Sequence, residues 1–216
     1  MITYFKTMPH IKIIGEKMNI AILGATGRFG IGLTAKLLAA TDHHLTLISK
    51  SAGHLYEDNY RITAKSVDAT DVRSLKKALK DQDLVYFAIS GDYIPVMVDN
   101  IVNLNPKRFI FMASVGIYNE LEGEGAEFNV DNDQTQIPNQ YAAGIIENSD
   151  VDYTIIRAGY LEHGDEDDYV ITVKGETPPG YRTSIESVEK IALEIIKDPE
   201  KYSRESISVT KDMTGE

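Results

Sequence analysis

The chain carries two hydrophobic rhythms that take turns. Short runs of consecutive apolar residues alternate with stretches in which apolar positions recur every three or four residues. The first pattern fits strands buried on both faces, and the second fits amphipathic helices. Residues 19–23, 45–48, 61–67, 84–89, 108–113, 153–156 and 207–209 are the predicted strands. Between them, 27–40 brings Phe29, Leu33, Leu37 and Leu38 near one helical face. A helix over 72–80 opens at Asp71, whose carboxylate can cap free amides. Residues 94–104 form a helix with Pro95 in the first turn, where no amide is needed. Two more helices fall around 141–148 and over 187–197, the second ending near Pro199.

Apolar strands alternating with helices predict parallel pairing. Right-handed crossovers then make an α/β fold with a doubly wound parallel sheet, helices on both faces and three layers, αβα. Two segments break the rhythm. Residues 119–140 carry Gly123, Gly125, Pro138 and many acids. A loop of that length is usually functional or mobile; it reads either as a flap facing a substrate or as a solvated acidic excursion. Residues 162–182 form a second excursion. Residues 1–17 read as an N-terminal extension whose IKII run could add an edge strand or a subunit contact, and 18–216 as one domain.

A length of 216 residues suits one such domain. No apolar run approaches the roughly 20 residues that cross a bilayer. Residues 1–17 lack the apolar core of a secretory signal. Cysteine is absent, which is compatible with a reducing compartment. A cytoplasmic location without a membrane partner is therefore expected. A net charge of −11 argues against nucleic-acid binding, because phosphates would be repelled. A small anion held by local groups remains open.

The candidate chemistry starts where the first strand ends, at Gly24-Ala25-Thr26-Gly27-Arg28-Phe29-Gly30. A helix start offers unpaired amides and partial positive charge, so it holds a pyrophosphate when the backbone can come close. Glycine at 24 permits a tight turn, glycine at 27 clears the ligand's path, and glycine at 30 lets the helix lie on the strand. The spacing is G-x-x-G-x-x-G rather than the usual G-x-G-x-x-G.

This turn, followed by VDATD, FAIS, FIFMASVGIY and DYTIIRAG, resembles the atypical short-chain dehydrogenase/reductases. Among them it is most similar to NmrA-like and biliverdin/flavin-reductase-like NAD(P)-binding proteins with a Rossmann-type domain. The resemblance spans about residue 18 to the C-terminus. It implies that Asp68 and its neighbour Ala69 meet the adenine edge, and that the segment Arg157-Ala158-Gly159 lies near the nicotinamide. A carboxylate some 20 residues beyond the glycines would indicate NAD. The chain has Ser49, Lys50 and Ser51 there instead, which suit a 2′-phosphate. With Arg28 reaching from the turn, NADP is expected in preference to NAD. The expected cofactor set is Gly24, Thr26, Gly27, Arg28, Phe29, Gly30, Ser49, Lys50, Asp68, Ala69, Ala88, Ile89, Ser90, Ala113, Ala158 and Gly159.

For catalysis the resemblance implies that Ser114 orients a substrate carbonyl. It also implies a tyrosine with a lysine four residues later, which lowers the phenol from its usual pKa of about 10. Here Tyr141 is followed by Ile145, so the pair is broken. Tyr118 is a second candidate without a lysine. Arg157 is read as a site neighbour or as the partner of an acid. The five histidines lack metal-ligand spacing, the acidic run 162–168 reads as a solvated loop, and no metal is expected. Neither a Walker pattern nor a nucleophile elbow is present.

Two functions follow. One is an NAD(P)H-dependent oxidoreductase passing hydride to a flavin, quinone or similar small electron acceptor. The other is a non-catalytic NADP(H)-binding redox sensor working through a protein partner. A sugar epimerase or dehydratase ranks third, against the broken tyrosine–lysine pair. A homodimer is the assembly allowed for.

Overall fold

The computed structural model describes residues 17–215. All of the expected N-terminal extension except Lys17 lies outside them. The elements are β1 (Asn19–Leu23), α1 (Arg28–Ala40), β2 (His44–Ser49), α2 (Ala52–Leu55), β3 (Ile62–Ser66), α3 (Val72–Ala78), β4 (Leu84–Phe87) and α4 (Ile94–Asn103). They continue with β5 (Phe109–Ser114), α5 (Ile137–Glu147), β6 (Tyr153–Ala158), β7 (Tyr160–Glu162), β8 (Val170–Val173), β9 (Arg182–Ser184), α6 (Ile185–Lys197) and β10 (Glu205–Thr210). Eight strands form one sheet in the order β3-β2-β1-β4-β5-β6-β10-β8, while β7 and β9 pair separately. The order reverses beside β1, and that switch point opens a crevice at the carboxyl ends of the strands.

Strand alternation sorts the core into two layers. Ile20 and Ile22 of β1 join Leu33 and Leu37 of α1 and Val188, Ile191 and Ile195 of α6. Ala21 and Leu23, pointing the other way, join Leu75 of α3, Val98 and Ile101 of α4 and Ala142 and Ile146 of α5. Each of these side chains is essentially sealed from solvent. Burying one leucine fully contributes about 1.5–3 kcal/mol.

The sheet is not parallel throughout. β8 runs antiparallel to β10, with Ile207 opposite Val173 and Val209 opposite Ile171. The second excursion thus supplies an edge strand, plus the last residue of β7 and the first of β9. The first excursion is not structureless either. A 3₁₀ turn, Val115–Tyr118, leads into it, and it holds two more, Gly123–Phe128 and Gln134–Gln136. The buried Asn129 side chain ties it together, accepting from Leu121 N at 3.1 Å and donating to Leu121 O at 2.9 Å. α5 begins four residues earlier than predicted, with Pro138 inside its first turn. α6 begins two residues early, because Ser184 caps it by accepting from Ser187 N.

Candidate functional site

β1 delivers Gly24 in a left-handed conformation, φ +84°. A side chain would be strained there, and a Cβ would collide with the Ala88 carbonyl oxygen. The turn is held by Gly24 N donating to Ile48 O at 2.9 Å and Gly27 N donating to Gly24 O at 2.8 Å. A Cβ on Gly30 would strike Gly24 O, so the start of α1 rests directly on the end of β1. Gly27 caps α1 with no side chain bonding to the helix amides. A helix start left open in this way can hold a diphosphate.

A cavity of about 420 Å³ opens in front of the turn. Gly24, Thr26 and Gly27 form one wall. Ser49 and Lys50 follow β2, Asp68 and Ala69 follow β3, and Ala88, Ile89 and Ser90 follow β4. Ten of the expected cofactor residues therefore line one crevice. Ser51, expected beside the 2′-phosphate, lines it too, and Ile48, Val67, Thr70, Gly91, Asp92, Tyr93 and Met97 complete the lining without any signal in the sequence pattern. A larger cavity of about 520 Å³ lies around Asp81–Asp83 and Asn105–Lys107, at the amino ends of the strands. In open α/β sheets ligands bind at the opposite ends, so the smaller crevice is the candidate.

Arg28 is exposed beside the turn. Phe29 packs against the core layer under α1 and α6 and, like Arg28, does not line the crevice. At the far end of the crevice, Lys50 Nζ lies 3.0 Å from Asp68 Oδ2. Asp68 Oδ1 accepts from Thr70 N at 3.0 Å and Thr70 Oγ1 at 2.8 Å. The Thr70 amide first, and then Lys50, hold the Asp68 carboxyl down at about 2. Both of its oxygens are engaged, so the adenine edge expected at Asp68 would have to share them. Asp71 caps α3, accepting from Arg73 N at 3.1 Å.

The remaining expected residues form a second group. Ser114 ends β5 opposite Ala158 of β6. Ala113 packs on one core layer and Ala158 on the other. None of these, nor Gly159, lines the crevice. Gly159 does permit a close backbone approach, but to this chain's own strand: its N–H donates to Thr183 Oγ1 at 2.7 Å, and a Cβ would strike Tyr181 O. Tyr141 stands on α5 and is 65% exposed. Ile145, in the lysine position, packs against the core.

Tyr118 is not a free proton donor. Its hydroxyl donates to Glu147 Oε1 at 2.7 Å. Lys174 Nζ lies 4.1 Å and Arg157 Cζ 5.1 Å from its ring centre. Burial pushes its phenol well above the ordinary value. Arg157 is fully buried and pairs with Glu120. Glu120 also accepts from Gly175 N at 2.6 Å, which makes the arginine a structural anchor. The acidic run is held by lysines: Lys36 meets Glu166, Lys190 meets Asp167, and Lys211 meets Glu162 and Asp168. No helix among the described residues is long and apolar enough to cross a membrane.

Comparison with known proteins bears on this geometry. A short-chain dehydrogenase/reductase from Veillonella parvula, solved in complex with NADP, is 26% identical with a TM-score of 0.81. The match covers 92% of this chain and 97% of that one. A Rossmann-fold NAD(P)-binding family protein from Shigella flexneri is 27% identical, TM-score 0.77, over 91% and 95% of the two chains. An anaerobillin reductase from Escherichia coli shares the fold at 17% identity, TM-score 0.72, over 90% and 98%. No curated protein matches the chain. The profile of the NAD(P)H-binding family matches residues 24–199, most of the chain. With its glycine turn on the first strand and its crevice at the switch point, the chain belongs to that NAD(P)H-binding family, within the atypical short-chain dehydrogenase/reductases.

Proposed function

We propose that the protein is an NADP(H)-dependent reductase that passes hydride to a quinone, flavin or similar small acceptor. The observation that carries this reading is the pairing of an open glycine turn on α1 with Lys50 across one crevice. The amides of 27–30 hold the diphosphate, and Lys50, with Arg28, meets the 2′-phosphate. Ser49 and Ser90 offer hydroxyls to the ribose rings. Ser114 orients the acceptor's carbonyl from the end of β5.

A reduced nicotinamide supplies the hydride. One hydride and one proton convert a quinone to its quinol, and the chain lacks the lysine that would tune Tyr141 as the proton donor. An acceptor whose reduced form takes its proton from water suits such a site. The NADP complex of the Veillonella protein supports NADP as the nucleotide.

A second reading is a dinucleotide sensor acting through a protein partner, favoured by Ile145 and by the exposure of Tyr141. A screen of electron acceptors, followed at the absorbance band of reduced nicotinamide, separates the two. Steady oxidation of NADPH with quinones or flavins is expected. Tight NADPH binding with no turnover on any acceptor overturns the reductase.

A further inference from the structure

Three aromatic rings stand together beyond the carboxyl ends of β5 and β6. Phe128 stacks on Tyr181 with ring centres 5.3 Å apart, and Tyr160 lies 6.0 Å from Phe128. Such separations are those of favourable ring pairs. The rings come from three segments that the backbone locks together. Tyr160 N donates to Tyr181 O at 2.6 Å. Phe128's carbonyl presses on Gly116, and Gly125 lies under Tyr181, positions where a Cβ would crowd the neighbour. Ser114 pairs with Ala158, two residues before Tyr160. The cluster therefore flanks the serine end of the sheet, outside the dinucleotide crevice.

Tyr160 is 63% exposed, so its ring is not core packing and offers an open face. The surroundings are acidic. Glu122, Glu124 and Glu127 are exposed on the turn that ends at Phe128. No lysine or arginine stands between Arg108 and Arg157. Lys174 is engaged by Glu147 and Arg157 by Glu120. Arg182 lies over Tyr181, 5.7 Å from the ring centre.

We infer that these rings form the acceptor subsite, and that it takes a flat, uncharged quinone-type ring while turning away anionic acceptors such as flavin mononucleotide or sulfonated quinones. The inference rests on the reductase reading. Stacking on Tyr160 and Phe128 supplies attraction without a directional polar contact. The carboxylate rim supplies the repulsive element that specificity needs.

Calorimetric titration of NADP⁺-saturated protein with menadione, and with a naphthoquinone sulfonate, tests it. Oxidised nicotinamide cannot reduce either probe, so binding is read independently of turnover. Menadione should bind about tenfold more tightly than the sulfonate. Tyr160→Ala should weaken menadione about fivefold or more, at unchanged NADP⁺ affinity. Replacing both Glu124 and Glu127 by lysine should close the gap between the probes. Equal affinity for the two probes, no menadione binding, or an unaffected Tyr160→Ala variant overturns the inference. Menadione binding without any NADPH oxidation instead sinks the reductase while leaving the ring subsite standing.

Discussion

The Lys50 ammonium and the Asp68 carboxylate meet at 3.0 Å just past the paired ends of β2 and β3. The lysine proposed to meet a 2′-phosphate therefore already has an anionic partner. Lys50→Asp should weaken NADPH about tenfold and NADH far less, which calorimetry with both nucleotides checks. Equal losses would remove the phosphate role.

The same pair gives a pH signature. Asp68 titrates at about 2 in the folded protein against an ordinary value of 3.8. A lowered carboxylate pKa stabilises the fold above the unfolded value, and that contribution fades as pH falls from about 4 towards 2. Asp68→Asn should cost under about 1 kcal/mol near neutrality, because the pair is exposed to solvent. Its urea midpoint should approach that of the unaltered chain as the pH drops.

Gly30→Ala places a Cβ against Gly24 O, where backbone has no room to yield. The variant should lose about 2–4 kcal/mol in urea denaturation, and NADPH binding should fall with it. A stable variant with full affinity would mean that α1 can lift off β1 without disturbing the turn.

Little of the strand-and-helix frame was hidden in the sequence. Asn19–Leu23 is legible to the residue because four of its five side chains are buried, leaving an unbroken apolar run. β8 is not, because it is an edge strand whose VITV residues are half-buried or exposed and leave no clear pattern. The start of α5 is masked at Pro138, which reads as a loop residue although proline suits a first helical turn. At the site, glycine spacing marks a close approach but not what approaches. At Gly24 the close neighbour of the turn is the Ala88 carbonyl, and at Gly159 it is the Tyr181 carbonyl. Tyr118 and Glu147 lie 29 positions apart, and no local pattern announces such a bond.

Glu120 is the only carboxylate paired with the buried Arg157 among the described residues. Glu120→Ala leaves that guanidinium without its counter-charge and should cost about 3–5 kcal/mol. Replacing Glu120 by leucine and Arg157 by methionine together should recover much of the loss. Urea denaturation of the three chains checks both statements.

Ser114→Ala should lower turnover about tenfold with little change in NADPH affinity. Tyr141→Phe should leave turnover within about twofold, since an exposed phenol without a lysine partner contributes little acid catalysis. Steady-state rates with a quinone acceptor decide both. A large Tyr141→Phe loss would restore that phenol as the proton donor.

β8 precedes β10 in the chain yet has no other strand to pair with in the large sheet. During synthesis, residues 170–173 therefore emerge with their backbone amides waiting for a mate not yet made. That mate is 205–210, which lies between β6 and β8 and closes both seams. Without residues 205–210, both β6 and β8 would keep a raw edge open to a neighbouring chain.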